Sequence, residues 1–256
     1  MGSIKMVKIK IAICQMFVLD GDRAGNFIRN ENAISEARKA GAEIVCLPET
    51  AILGWVNPDA HQRAYPIPGK DSAHLCELAK KYRVYLCAGL EEKDGKRLYD
   101  SAILTDDKGK ILLKHRKINI MPELMTPPYT PGSKVNIEKT RFGKIGILIC
   151  ADTHDDKILG RMAALKPDLL LVPYGYAAPE NDWPDHGKEL KRVVTKTARK
   201  IGAPVLGTNL IGQITNGPWT GRVYGGQSIA ADKNGNIIGI ARDRDRDIKI
   251  ITVNTG

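Results

Sequence analysis

Three side chains that can do chemistry together follow the ends of three predicted strands. Glu49 lies just beyond an apolar run, in VCLPET, and Lys117 lies at the end of a predicted strand, in LKHRKIN. Cys150 ends the apolar run GILIC. In α/β proteins the ligand crevice is built from strand carboxyl ends and the loops that follow them. The spacing therefore allows Glu49, Lys117 and Cys150 to converge in one pocket.

A thiol, a carboxylate and an ammonium form a coherent set for acyl transfer. The thiolate is the nucleophile, so a neutral thiol needs a base or a stabilising cation. A carboxylate in a dry pocket can accept and return a proton near neutral pH, and a lysine beside it stabilises the charge of a tetrahedral intermediate. This chemistry suits carbon–nitrogen bonds. Each residue taken alone could have a purely structural role: Cys150 as a core residue, Glu49 as a capping residue and Lys117 as a solvated residue at a strand edge.

The segments that must position these residues alternate between strand and helix patterns. Period-2 or continuous apolar runs predict strands at 8–15, 43–47, 84–90, 98–105, 111–118, 144–150, 169–172, 204–209 and 248–253. Helical spacing predicts helices at 22–40, 72–83, 157–165 and 187–201. Turn residues predict hairpins around 106–110 and 232–236, and four prolines mark 121–132 as a long loop. With no linker visible, we predict a single α/β domain over residues 1–256.

Composition excludes several classes of protein. The chain has 256 residues, 43% of them hydrophobic, and no apolar run approaches a membrane span. The net charge of +10 permits a nucleic-acid partner, but no binding motif accompanies it and residues 242–247 alternate Arg with Asp. Five cysteines without zinc spacing and an N-terminus without a secretory pattern predict a cytoplasmic protein without a metal site. We expect a small-molecule substrate and no nucleic-acid or membrane partner.

Several motifs resemble those of the nitrilase superfamily, the carbon–nitrogen hydrolases. VCLPET resembles the motif that holds the family's glutamate, KHRKINI through YTPG resembles the lysine motif, and GILICAD resembles the cysteine motif. AICQ, LGW, PYGY, GTN and YGGQS add supporting matches from the first strand to residue 228. The resemblance covers essentially the whole chain.

The resemblance implies a four-layer αββα sandwich with two mixed β-sheets, usually assembled as a homodimer or higher homo-oligomer. It implies that Cys150 is the nucleophile, that Glu49 is the general base and then the acid, and that Lys117 stabilises the intermediate. The backbone N–H of Ala151 would complete the oxyanion site. No metal or organic cofactor is implied.

The sequence departs from the family pattern after the lysine. Many relatives have a second glutamate in the loop there, and either Glu123 or Met125 occupies that position in this chain. We include Glu123 among the candidate catalytic residues. Asp152, two residues after Cys150, resembles the amide- and carbamoyl-cleaving branches more than the true nitrilases.

The predicted activity is hydrolysis of a small linear amide or N-carbamoyl compound through a thioester, with release of ammonia or an amine. Two alternatives stay open: a nitrilase that uses the same triad, and a catalytically silent binding protein of this fold. The predicted substrate-binding residues, which are either aromatic residues of loops or neighbours of the nucleophile, are Trp55, Ala151, Asp152, Tyr174 and Trp183.

Overall fold

The apolar runs of the sequence form a network of strands, and the amphipathic segments form helices on both of its outer faces. The computed structural model describes residues 7–255. Its strands are β1 (Val7–Phe17), β2 (Ile44–Cys46), β3 (Tyr85–Asp94), β4 (Arg97–Thr105), β5 (Ile111–Arg116), β6 (Ile137–Thr140), β7 (Gly143–Ile147), β8 (Leu169–Tyr174), β9 (Ala177–Ala178), β10 (Val205–Gln213), β11 (Val223–Gly225), β12 (Ile229–Ala231), β13 (Ile237–Ile240) and β14 (Asp247–Thr255). Its helices are α1 (Arg23–Lys39), α2 (Ala60–Arg63), α3 (Lys70–Tyr82), α4 (Asp156–Ala164) and α5 (Gly187–Ile201), with 3₁₀ turns at Pro122–Leu124, Cys150–His154 and Glu180–Asp182.

The strands form two halves, each with parallel and antiparallel pairs, and the halves are joined where β1 pairs with β10. The main order is β5-β4-β3-β2-β1-β10-β8-β7-β6. β1, β2 and β3 are parallel, whereas β3, β4 and β5 are antiparallel; β7, β8 and β10 are parallel in the other half. The predicted sandwich is confirmed, with one difference: its two sheets are continuous. They join because β1 runs on past its own sheet, so that Met16 and Phe17 pair with Leu210 and Ile211 of β10.

Aliphatic side chains fill the space between the two halves. Ile11 and Ile13 of β1, Ile147 of β7 and Leu171 of β8 are fully buried in one cluster. Helices α1 and α3 cover the β1–β3 half, and α5 covers β10 and β12. Each fully buried Ile or Leu contributes roughly 1.5–3 kcal/mol relative to exposure. The four layers therefore hold the strand ends in fixed positions.

Most predicted elements are present, and the differences lie mainly at their ends. Helix α5 spans the predicted 187–201, because its apolar residues recur at strict helical spacing. The predicted strand 144–150 ends earlier, at Ile147, and Cys150 begins a 3₁₀ turn instead. The sequence does not predict the short elements α2, β6, β9 and β11, because two to four residues are too few to show a hydrophobic period. Among residues 7–255, no helix is long and apolar enough to cross a membrane.

Gln15 ties the end of β1 to segments near the other end of the chain. Its side chain is fully buried and its Nε2 donates to the carbonyls of Arg242 and Asp245, both at 2.6 Å. Its Oε1 accepts from the backbone N–H of Ser228 at 2.8 Å. One amide thus bonds three backbone groups, of which the Arg242 carbonyl also accepts from the backbone N–H of Gln227.

We predict that Gln15→Leu lowers the free energy of unfolding by at least about 2 kcal/mol, because the Ser228 N–H and the Asp245 carbonyl lose their partner and the Arg242 carbonyl loses one of two. Urea titration followed by far-UV circular dichroism measures the change. The exposed Gln213 at the end of β10 provides a matched control. Gln213→Leu should shift stability by less than about 0.5 kcal/mol. Equal effects at the two positions would show that the amide of Gln15 is not a structural tie.

Candidate active site

The structure brings the three predicted catalytic side chains together in the interior. Glu49 follows β2, Lys117 follows β5, and Cys150 opens the 3₁₀ turn after β7. Their exposed fractions are 0%, 2% and 4%. Lys117 Nζ donates to Glu49 Oε1 at 2.5 Å. Three strand ends from both halves of the sandwich therefore supply an ammonium, a carboxylate and a thiol to one buried site.

Two glycines leave room for Glu49. A Cβ at Gly89 on β3 would lie 2.6 Å from Glu49 Cα, and a Cβ at Gly175 would lie 2.9 Å from Glu49 Oε2. The residue after the glutamate, Thr50, has φ of +47°, so the chain turns sharply there. At such short distances, a residue other than glycine would displace the neighbouring atoms of Glu49. The glutamate is thus held between β3 and the segment that follows β8, with little freedom to move.

Cys150 sits in a strained backbone conformation at the start of its turn. Its φ is +37°, which few residues other than glycine adopt. Thr153 Oγ1 donates to the Cys150 carbonyl at 2.7 Å and lies 2.9 Å from the Tyr174 hydroxyl. The backbone N–H of Gly175 lies within hydrogen-bonding reach of the Cys150 sulfur. Neighbouring contacts therefore hold an unfavourable φ that turns the thiol toward Glu49 and Lys117.

Asp152 links the cysteine turn to the segment after Lys117. Its Oδ1 accepts from the N–H groups of Ile118 and Asn119 at 2.9 and 2.8 Å. Its Oδ2 accepts from the N–H of Ile149 at 3.0 Å and from His115 Nε2 at 2.7 Å. Because Asp152 is fully buried and both oxygens are engaged by the protein, its carboxylate positions the lysine and cysteine segments against each other.

The charges around Lys117 keep it protonated. Burial alone would lower the pKa of Lys117, but the adjacent carboxyl groups of Glu49 and Asp100 outweigh that effect and raise it. Asp100 Oδ2 accepts from Lys117 Nζ at 3.2 Å. The indole of Trp55 also lies 5.4 Å from the same nitrogen, which is cation–π range. Lys117 is therefore a fixed positive charge in a water-poor site.

Cys150 rests as a neutral thiol. Burial raises its pKa, and the charge of Glu49 raises it further. The Lys117 charge and the Gly175 N–H act in the opposite direction and do not overcome the burial. A neutral thiol needs a base before it can act as a nucleophile, and the Glu49 carboxyl lies close enough for its charge to act on this thiol.

The other predicted site residues lie in different surroundings. Tyr174 is fully buried behind the cysteine turn, where its hydroxyl contacts Thr153. Trp183 packs with Ala178 and Val223 in a separate small cluster, and its Nε1 donates to the Val223 carbonyl at 3.1 Å. Ala151 lies in the cysteine turn, with its carbonyl accepting from Asn119 Nδ2 at 2.8 Å.

Glu123 does not lie beside Lys117 in this structure. It is exposed on the 3₁₀ turn that begins at Pro122, while Met125 is buried in the same cluster as Trp55. The buried carboxyl that contacts the ammonium belongs to Asp100 on β4, which the sequence analysis did not single out. An aspartate inside the strand LYDSAIL was the one available signal, because a charged residue there must find a buried partner.

Comparison with known proteins assigns the chain to a family. Residues 10–256 match the carbon-nitrogen hydrolase family model. The chain belongs to this family, whose members hydrolyse carbon–nitrogen bonds other than peptide bonds, and the resemblance found in the sequence is confirmed.

Individual relatives differ in the activity that their names give. The chain is 30% identical over 187 residues to a bifunctional nitrilase/nitrile hydratase of Nicotiana tabacum, covering 64% of this chain and 53% of that protein. It is 30% identical over 197 residues to an omega-amidase of Danio rerio, covering 73% of this chain and 70% of that one. The chain thus spans about half the length of the tobacco relative.

The fold is shared with solved structures. The crystal structure of an amidase from Nesterenkonia sp. superposes with a TM-score of 0.82 at 20% identity, covering 96% of this chain and 90% of that one. At this identity the likeness supports the sandwich architecture and nothing finer.

We predict that Gly175→Ala destabilises the protein by about 1–3 kcal/mol, because the new Cβ would collide with the buried Glu49 carboxylate. Thermal unfolding measures the change. Gly160 is the matched control: it lies within α4, where an added Cβ meets nothing within 4 Å. Gly160→Ala should be neutral or stabilising by up to about 1 kcal/mol. A Gly175→Ala protein as stable as the wild type would show that Glu49 is not tightly enclosed.

Proposed function

We propose that this protein hydrolyses a small linear amide or N-carbamoyl compound through a thioester on Cys150, with release of ammonia or an amine. The observation that carries the proposal is the buried contact of 2.5 Å between Lys117 and Glu49 next to a cysteine with positive φ. A purely structural ion pair would not need a nucleophile at a strained turn beside it. The predicted Glu49, Lys117 and Cys150 triad therefore stands as the proposed catalytic set.

The first half of the reaction forms the thioester. Cys150 Sγ attacks the amide carbon while Glu49 takes the thiol proton, because the thiol is neutral at rest. The carbonyl oxygen becomes negative and is stabilised by the Lys117 ammonium and by the backbone N–H of Ala151. Glu49 then gives the proton to the leaving nitrogen. The carbon–nitrogen bond breaks, and ammonia or an amine departs.

The second half releases the acid. A water molecule attacks the thioester carbon while Glu49 takes one of its protons. The carbon–sulfur bond breaks and the proton returns to the sulfur, which restores the resting thiol. Glu49 therefore acts as base and acid in turn, and neither half consumes a cofactor.

Asp152 and Asn119 are proposed to position these groups without touching the substrate. They join the Lys117 segment to the cysteine turn, so Ala151 keeps its N–H next to the nucleophile. Trp55 is proposed as the wall of the acyl pocket, since its ring already contacts the Lys117 ammonium. The homodimer or higher homo-oligomer and the cytoplasmic location stay predictions from the sequence.

The charge balance of the site favours a neutral acyl group. The carboxyls of Glu49, Asp100 and Glu91 lie near the buried Tyr129: burial raises the pKa of its phenol, and the three carboxyls raise it further. Lys117 is the cation that contacts Glu49 and Asp100, and Glu49 already balances its charge. A substrate that brings a further carboxylate would find no unpaired cation beside these groups, and an unpaired buried charge is costly.

We predict that Cys150→Ala abolishes ammonia release from a panel of small amides, N-carbamoyl compounds and nitriles, because the thioester cannot form. A coupled glutamate dehydrogenase assay measures the ammonia. The control is Cys76→Ala, since Cys76 is the partly exposed cysteine on α3 and should leave turnover unchanged.

Each outcome of the panel decides between the hypotheses. Activity that survives in Cys150→Ala contradicts the mechanism. Turnover of nitriles but not amides in the wild type would replace the amidase proposal by the nitrilase alternative. Absence of turnover across the panel would favour the silent binding protein.

We predict that butyramide is hydrolysed at least about tenfold more efficiently than succinamate, measured as kcat/KM, because a terminal carboxylate would be buried without an unpaired cation to receive it. The two amides have the same chain length, so the terminal group alone differs. Preference for succinamate would show that a cation outside this cluster receives the carboxylate, and it would contradict the assignment of a neutral acyl group.

A further inference from the structure

Asp100 is a second buried carboxyl on the Lys117 ammonium. It lies in the middle of β4, 1% exposed, directly across the strand pair from Glu91 of β3. Its Oδ2 accepts from Lys117 Nζ at 3.2 Å, and its carboxyl also lies within hydrogen-bonding reach of that of Glu49. Within the described residues, its Oδ1 and the Oε2 of Glu49 have no hydrogen-bond donor. Two carboxyls and one lysine thus share an enclosed space.

The charges of this group do not balance if both carboxyls are ionised. Lys117 supplies one positive charge, whereas Glu49 and Asp100 would supply two negative ones. An unpaired buried charge costs several kcal/mol, so the pair takes up a proton instead. Two carboxyls in contact usually hold one proton between them for this reason.

The geometry and the surroundings of Asp100 indicate that this residue holds the proton. Glu49 makes the shorter contact with Lys117, 2.5 Å against 3.2 Å for Asp100. Burial and the charge of Glu49 raise the pKa of Asp100 well above its usual value, against the opposing charge of Lys117. The neutral acid can then point its proton at the unpartnered oxygen of Glu49.

Within residues 7–255, the other titratable groups facing this cluster are acids and add no positive charge. Glu91 lies opposite Asp100 on β3, and burial raises its pKa well above the usual value. Tyr129 and Tyr224 lie close enough to both carboxyls for these groups to raise their pKa values, in addition to burial. Cys150 is neutral at rest, as described above. The excess of acids around Lys117 therefore favours one shared proton.

We propose that Asp100 is a positioning residue that stays protonated, donates its proton as a hydrogen bond to Glu49 and accepts from Lys117. This arrangement fixes the carboxylate of Glu49 between two donors and leaves its charge available to the Cys150 thiol. The effect on turnover rests on the proposed function; the protonation of Asp100 does not.

Two substitutions separate this role from a plain packing role. Asparagine places a neutral donor and an acceptor where protonated Asp100 has them, whereas leucine has similar size and neither. Asp100→Asn should keep kcat within about fivefold of the wild type. Asp100→Leu should lower kcat at least about a hundredfold while KM changes less than about threefold. An Asn variant as impaired as the Leu variant would show that a negative charge is needed, which overturns the proposal.

Infrared spectroscopy tests the proton without any substrate. A protonated buried carboxyl has a carbonyl stretch that an ionised one lacks. The difference spectrum of wild type minus Asp100→Asn at neutral pH should contain that band. The control is Glu92→Gln, since Glu92 is buried on the same strand as Glu91 but pairs with Lys114 and Arg116; its difference spectrum should contain none.

The infrared spectrum and the activity assay test separate claims. A difference spectrum without the band overturns the proposal even if the enzyme is active. A band in a protein that hydrolyses no amide sustains the shared proton and contradicts the proposed function alone. If Asp100→Leu does not fold, the Asn variant and the spectrum decide the question.

Discussion

The contact between Lys117 and Glu49 is the interaction on which the rest of the site depends. Both groups are out of water, so neither charge is tolerable without the other. That contact requires the ends of β2 and β5 to meet inside one half of the sandwich, and the cysteine turn after β7 must then approach from the other half. These strand ends are held in place by the continuous sheet, by the hydrogen bonds of Gln15 and by those of Asp152.

The meeting of Glu49, Lys117 and Cys150 was predictable because reactive side chains interrupt strand runs at their ends. Glu49 and Cys150 close such runs, and Lys117 closes a basic one. The layered α/β fold and its helix α5 were also predictable, because a long segment with periodic apolar residues indicates which of its faces is buried. These features are local, so a single sequence contains them.

Asp100 and Trp183 show what local patterns leave out. Asp100 reaches Lys117 only because β4 pairs with β5 in one register, and register depends on contacts between distant segments. The substrate-binding role of Trp183 stays a prediction, and the structure places its side chain against Ala178, Val223 and His186. An aromatic residue in a loop has the same sequence signature whether or not it lines a pocket. Glu123 is exposed because Leu124 and Met125 take the inward positions of that short turn.

If the proposed hydrolysis is correct, the depth of Cys150 limits which amides can react. A thiol with 4% of its surface exposed lies beyond the reach of a segment of folded chain. The side chains of asparagine and glutamine carry the same carboxamide group as a small amide, and they are common on protein surfaces. Burial of the proposed nucleophile would therefore spare those side chains from deamidation.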